Sequence, residues 1–147
     1  MIRNTNSFSL AAGDGKVSFV EIRDIGSVAA TVLTENDDEH TGKSYDLTGP
    51  ESLTYTDAAE ILSTESGKKI SYVNISEDQL RQGIKEMGIN DWHANVIVEL
   101  LKITRDGSVS EVSSAVEKVT GKGTCFNLNV CKRICKCSKV NTYTCYK

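Results

Sequence analysis

Cysteine is missing from most of this 147-residue chain, because all five cysteines lie from Cys125 onward. The first 124 residues therefore cannot depend on disulfides, which is typical of a cytosolic protein. The sequence also has no signal peptide and no apolar run long enough to cross a bilayer. These absences predict a cytoplasmic protein that does not enter the membrane.

An excess of basic residues is also missing before the tail. Residues 1–124 hold 12 Lys/Arg and 20 Asp/Glu, a net charge of −8. Residues 125–147 hold five Lys/Arg and no acid, a net charge of +5. An acidic body argues against nucleic-acid binding, since such binding depends on neutralising phosphates.

The chain contains no G-x-G-x-x-G motif. Those glycines let a backbone approach a pyrophosphate at a helix N-terminus. The turn at Gly13-Asp14-Gly15 does not replace the motif, because no third glycine follows at the right spacing and a strand is predicted after it. We therefore expect the chain not to hold a dinucleotide tightly by itself.

The stretch Gly13–Leu33 is the most informative part of the sequence. After the turn, an apolar run from Val17 to Ile22 predicts a strand with both faces covered. Asp24 then stands where a helix N-cap belongs. The following apolar positions have the spacing of a helix with one buried face: Ile25, Val28, Ala29, Val32 and Leu33. A strand leading into a capped amphipathic helix predicts an α/β fold.

The remaining elements are marked by caps and stops. Short strands are predicted around Phe8–Leu10, 44–48 and 70–75. Thr54 with Asp57 and Ser76 with Gln79 have capping-box spacing, and Asn90 is a further N-cap. The inner faces predicted for the helices that follow are Ala58, Ile61, Leu62; Leu80, Ile84, Met87; and a shared face of Trp92, Val96, Leu100, Ile103. A last short helix is predicted within 112–119, closed by Gly121.

Three segments carry a resemblance to a known family: KVSFVEIRDIGSVAATVL, KSYDLTGPESLTYTDAAEILSTESGKKISYVNIS and VEKVTGK. They resemble the second half of NmrA-like proteins, atypical members of the short-chain dehydrogenase/reductase group that are similar to type-2 NAD(P)H:quinone oxidoreductases. The resemblance covers about residues 3–122. It implies the C-terminal, substrate-side half of an NAD(P)-binding Rossmann-type fold over residues 1–122, without the glycine-rich N-terminal half.

The resemblance also implies a function and a site. Intact members bind NAD(P)H and reduce quinones or act as redox-sensing regulators, so we expect this chain to be a truncated oxidoreductase fragment, inactive alone and without bound cofactor. The same resemblance places Asp24 and Phe19 beside the substrate cleft, with Phe8 and Trp92 as further apolar wall candidates. For Asp24 the alternative is a purely structural helix cap.

Unpaired strand edges suggest a second function, a protein-binding module that docks on an intact homologue or another partner. The histidines and tyrosines give weaker indications of chemistry. His40 lies in a polar loop and is predicted to be solvated, and His93 is predicted to have a structural or surface role rather than a catalytic one. Tyr45, Tyr55 and Tyr72 are interpreted as strand and core residues rather than proton donors.

The tail, residues 123–147, does not fit the family and is expected to be disordered or frameshifted. Cys131, Cys135 and Cys137 offer a third function, a small metal-binding protein, although their spacing forms no pair of zinc knuckles. Back-translation of 123–141 followed by loss of one nucleotide permits EHVSISMYVKEYANVAR and then a stop. That peptide resembles the closing helix of NmrA-like proteins, so we expect an inserted nucleotide near codon 123.

Overall fold

The computed structural model describes residues 5–35 and 38–124, which fall into two compact units. The described part of the first unit comprises residues 5–17 and 53–110. The second comprises residues 18–35, 38–52 and 111–124. Predictions made for the cysteine-rich tail beyond Thr124 lie outside the described residues.

Residues 5–17 and 53–110 of the first unit form four short strands and three helices. The strands are β1 Ser7–Leu10, β2 Lys16–Val17, β3 Leu53–Thr54 and β4 Ser71–Asn74. The helices are α2 Tyr55–Ser66, α3 Glu77–Glu86 and α4 Asp91–Arg105. The second unit contains helix α1 Ile22–Thr34, a 3-10 turn at Asp38–His40 and helix α5 Ala115–Thr120. The predicted α/β class is confirmed.

Two small sheets form in the first unit. Strands β1 and β4 pair in parallel, with Phe8 opposite Tyr72. Strands β2 and β3 pair antiparallel, with Lys16 opposite Thr54. Each strand of the described residues has a single strand neighbour. The outer edges of both sheets are therefore not covered by another described strand.

Three of the predicted helix caps, those at Thr54, Ser76 and Asn90, are confirmed. Thr54 Oγ1 accepts from the Asp57 N–H at 3.1 Å, and the Asp57 carboxylate accepts from the Thr54 N–H at 2.9 Å. Ser76 and Gln79 form the second capping box, and Asn90 accepts from the His93 N–H. Each box satisfies two backbone N–H groups that a helix start leaves unpaired.

The core of the first unit lies between β1, α3 and α4. Its buried residues are Ala11, Ala12, Leu80, Ile84, Ala94, Val98 and Leu101. Arg105 ties this core together, because its guanidinium donates to the Ala11 carbonyl oxygen and to the Glu77 carboxylate. The end of α4 is thereby held against the end of β1 and the start of α3.

The strand predicted up to Ile22 and the cap predicted at Asp24 are wrong. Strand β2 ends at Val17, and α1 begins at Ile22 with Glu21 as its N-cap. The Glu21 carbonyl oxygen accepts from the N–H groups of Asp24 and Ile25. Helical hydrogen bonding therefore starts before Asp24, which becomes the third residue of the helix.

The strand predicted at 44–48 is also absent from the described structure. Side chains satisfy part of its backbone instead. Ser113 Oγ donates to the Asp46 carbonyl oxygen at 2.5 Å, and Thr48 Oγ1 accepts from the Ser113 N–H at 2.8 Å. The segment is anchored by residue 113 rather than by a neighbouring strand.

The predicted burial of several helix faces is wrong. Helix α1 buries Val28, but Ala29 is exposed, and Ile25 and Leu33 are 41% and 83% exposed. The helix that packs against α1 in its own unit is the six-residue α5, which is too short to cover the stripe. In the first unit, Met87, predicted to lie on the buried face of α3, is exposed. In α2 the most buried residue is Ala59. The residues predicted to form its inner face are only partly buried: Ala58, Ile61 and Leu62.

Helix α4 is apolar on two opposite sides. The predicted face of Trp92, Val96, Leu100 and Ile103 exists, but these side chains are exposed. The side that packs into the core carries Ala94, Val98 and Leu101 instead. Sequence spacing alone could not predict which side of α4 packs into the core, since the apolar residues on both sides fit a helical period.

Candidate functional site

The first unit contains a cavity of about 330 Å³ between β1 and α3. Much of its lining is apolar and includes the side chains of Phe8, Leu80 and Ile84. The remaining lining residues are Thr5, Ser7, Ser9, Ile75, Gln79, Gly83 and Met87. An apolar cleft with a few polar side chains is the usual form of a small-molecule site.

Phe8 joins the cavity to an aromatic cluster. Its ring centroid lies 5.6 Å from that of Tyr72 and 6.4 Å from that of Tyr55. Burial raises the pKa of Tyr55, and the neighbouring Tyr72 adds to this effect. Burial also raises the pKa of Tyr72, whose hydroxyl lies 3.2 Å from the Leu10 carbonyl oxygen. Both phenols therefore stay protonated at neutral pH and are weaker acids than a free tyrosine.

The other predicted wall residue of the first unit, Trp92, does not line this cavity. It stands in the first turn of α4, 68% exposed, with its ring edge-on to His93 at 4.8 Å. Of the four predicted site residues, only Phe8 is part of the cavity. The role of Trp92 as a pocket residue stays a prediction.

Phe19 and Asp24 belong to the second unit. Phe19 is half-buried in the segment that leads into α1, and Asp24 lies in the first turn of that helix. An acidic side chain at this position stabilises a helix through the positive end of its dipole. This accounts for Asp24 structurally, and its role beside a substrate stays a prediction.

The second unit contains a polar cluster that was not anticipated from sequence. It consists of Glu35, His40 and Tyr45. His40 Nδ1 lies 2.9 Å from the Tyr45 hydroxyl, and His40 Nε2 lies 2.9 Å from Glu35 Oε2. The His40 side chain is only 9% exposed, so the prediction that it is solvated is wrong. The imidazole fastens the end of α1 to the segment around Tyr45. No sequence motif marks this contact.

Helix N-termini are where a dinucleotide pyrophosphate would bind, and those of the described residues do not fit one. The N-termini of α2, α3 and α4 are closed by their own capping side chains. Every described helix also carries an acid in its first turn: Asp24, Asp57, Glu77, Asp78, Asp91 and Glu117. These carboxylates occupy the positive end of the helix that a phosphate would need.

Residues 5–35 and 38–124 bring no three His, Cys, Asp or Glu side chains together in a way that could hold a metal ion. The cysteines proposed as metal ligands, Cys131, Cys135 and Cys137, lie outside the described residues, so that hypothesis stays a prediction. Within the same ranges, every helix is too short or too polar to span a membrane.

Comparison with known proteins gives a consistent result. The sequence model of the NmrA-like family matches residues 6–124. The NAD(P)H azoreductase of Xenophilus azovorans is 34% identical over 121 residues, which is 82% of this chain and 42% of the relative. Quinone oxidoreductase 2 of Escherichia coli is 32% identical over 114 residues, 78% of this chain and 39% of the relative. The chain thus spans about two fifths of the length of these relatives.

Solved structures show the same partial coverage. The triphenylmethane reductase of Citrobacter sp. superposes with a TM-score of 0.77 at 26% identity, over 92% of this chain and 47% of that one. An NADPH-dependent quinone oxidoreductase of Escherichia coli gives 0.77 at 29% identity, over 88% and 46%. The described fold therefore corresponds to a little under half of a Rossmann-type reductase.

Proposed function

Because this chain belongs to the NmrA-like family, we propose that it is the substrate-side region of an NAD(P)H-linked oxidoreductase or redox sensor. The observation that carries the proposal is the match itself, which extends over residues 6–124. Relatives named as an azoreductase and a quinone oxidoreductase support a planar, conjugated acceptor such as a quinone as the substrate.

The chain is proposed to be inactive alone. The acidic first turns of its described helices disfavour phosphate binding at their N-termini, which supports this proposal. The sequence also lacks the glycine motif that would supply one. Hydride transfer requires the nicotinamide and the acceptor to be held together, so this chain would supply the acceptor side and a nucleotide-binding half would supply the rest.

Turnover by the purified full chain tests this proposal. NADPH oxidation is followed by absorbance with 1,4-naphthoquinone as acceptor, and the Escherichia coli quinone oxidoreductase serves as the positive control. The expected result is no enzyme-dependent rate for this chain. A rate that saturates with both NADPH and quinone would show a complete enzyme and overturn the proposal.

The exposed side of α4 supports a second candidate function, docking on an intact homologue or another partner. Trp92 and Leu100 on this side are 68% and 56% exposed, and they share the helix face with the exposed Val96 and Ile103. A contiguous exposed apolar surface is typical of a protein-binding site. Co-sedimentation with the Escherichia coli relative tests this candidate. Association that is lost in Leu100→Asp but kept in Glu111→Lys would support docking, and no association with that relative would count against it.

A further inference from the structure

Gly83 is an unusual residue for its position. It lies inside helix α3, where glycine is less favourable than alanine because it gains backbone freedom on unfolding. A Cβ built at Gly83 would meet no heavy atom within 4 Å, so close packing does not require a glycine there. Its backbone conformation is helical and requires none either. What the missing side chain does is leave the cavity open, since Gly83 is one of the lining residues.

The size of the cavity restricts what could occupy it. A volume of about 330 Å³ lies at the lower end of the roughly 300–1,000 Å³ that is usual for ligand pockets. Phe8, Leu80 and Ile84 provide apolar contact on the β1 and α3 sides. A flat molecule of about two fused rings suits such a space better than a charged or extended one, because the described residues of the lining include no charged side chain.

Gln79 supplies the polar specificity. Its Oε1 already accepts from the Ser76 N–H at 2.9 Å as part of the capping box. That bond directs the oxygen to the start of the helix, and the other polar group of the side chain is the amide nitrogen, which only donates. A donor beside an apolar cleft favours a ligand with a carbonyl oxygen over a plain hydrocarbon.

From these observations we propose that the cavity between β1 and α3 binds a two-ring aromatic ketone, with Gln79 Nε2 donating to its carbonyl oxygen and Gly83 providing room for its ring. The inference rests on the proposed function only in linking this chemistry to a quinone-like substrate. Binding at this cavity needs no dinucleotide, so it can be tested separately from turnover.

The probe is 1-tetralone, which carries a carbonyl but does not react with the five cysteines of the chain as a quinone would. Tetralin, the same ring system without the carbonyl, is the matched ligand. Binding to the full chain is measured by NMR titration without NADPH. The expected result is saturable binding of 1-tetralone, at least fivefold tighter than tetralin, with the largest shifts at the methyl groups of Leu80 and Ile84.

Two variants with matched controls sharpen the test. Gly83→Leu fills the cavity and is expected to weaken 1-tetralone binding at least tenfold. Gly26→Leu adds the same side chain inside α1, where a Cβ also meets nothing within 4 Å, and is expected to bind like the wild type. Gln79→Glu keeps the capping acceptor and removes the donor, so it should weaken 1-tetralone but not tetralin.

The outcomes separate this inference from the proposed function. Absence of saturable binding to the wild type, shifts confined to residues outside the cavity, or equal binding by Gly83→Leu would each overturn the inference and leave the proposed function standing. Saturable binding lost in Gly83→Leu supports the inference, even if the full chain oxidises NADPH by itself. Should Gly83→Leu fail to fold, the shifts in the wild type and the Gln79→Glu comparison still decide the matter.

Discussion

The backbone of Gly15 lies directly against the backbone of Thr104. A Cβ at Gly15 would stand 2.6 Å from the Thr104 carbonyl oxygen, a separation that two such atoms cannot adopt. The contact joins the turn after β1 to the last turn of α4, whose buried residues form much of the core. The turn at 13–15 is therefore a packing requirement of the first unit.

Gly15→Ala should destabilise the chain, because the turn or the end of α4 must move to admit the methyl group. We expect a loss of about 1–3 kcal/mol in the free energy of unfolding, the usual range for overpacking a well-packed site. Chemical denaturation measures it. Gly26→Ala is the control, since its Cβ is unobstructed and alanine favours a helix. Equal stability of Gly15→Ala and the wild type would contradict the packing described.

Arg105→Ala should destabilise the first unit by about 1–3 kcal/mol, since it removes charge-assisted hydrogen bonds to Ala11 and Glu77. Because Ala11 is buried, water does not readily replace the Arg105 guanidinium as hydrogen-bond donor to the Ala11 carbonyl oxygen. Arg23→Ala is the matched control, because Arg23 is 66% exposed and 4.0 Å from Glu21; it should change stability by less than about 0.5 kcal/mol. Similar melting temperatures for the two variants would argue against an anchoring role for Arg105.

Asp57 should make stability depend on acidic pH. Hydrogen bonds from the Thr54 N–H and hydroxyl lower the pKa of the Asp57 carboxyl in the folded chain. The unfolded state therefore binds a proton more readily, and the stabilisation is present above the unfolded pKa of about 4 and lost as pH falls through the folded value. Melting temperatures between pH 6 and pH 2.5 measure this. Asp57→Asn should lose less stability across that window than the wild type, and identical pH profiles would disprove the role of Asp57.

His40→Ala should loosen the loop that follows α1. The substitution removes contacts to Glu35 and Tyr45 and exposes the space left by a nearly buried ring. We expect a loss of about 1 kcal/mol for the lost hydrogen bonds, together with faster amide exchange around Tyr45. His93→Ala is the control, because His93 is the other histidine of the chain and is exposed. Unchanged exchange in His40→Ala would show that the imidazole does not fasten the loop.

Features set by neighbours in the sequence were predictable. The capping boxes at Thr54 and Ser76 and the helix stop at Gly67, with φ 65°, depend on residues within a few positions of one another. The start of α1 was not predictable from sequence, because Ile22 and Arg23 are compatible with either a strand or a helix. Tertiary packing decides between these two conformations. Residues 44–48 have a strand pattern but are held by Ser113, which lies about 65 positions away.

The site was less predictable than the fold. Phe8 could be proposed from the family resemblance, but its cavity depends on α3, and the sequence pattern does not place α3 beside β1. A glycine inside a predicted helix was the available signal for Gly83, since such a residue needs a reason. The ring of His40 is enclosed by partners five positions away on either side, a spacing that fits no regular element.

The most direct test of the account is an NADPH titration of the purified full chain, followed by calorimetry, with the Escherichia coli quinone oxidoreductase as a reference that is NADPH-dependent. The account predicts no saturable heat of binding for this chain under conditions where the reference binds. Saturable, stoichiometric binding of NADPH by this chain would contradict the central proposal that these residues form a substrate-side region and do not hold the cofactor by themselves.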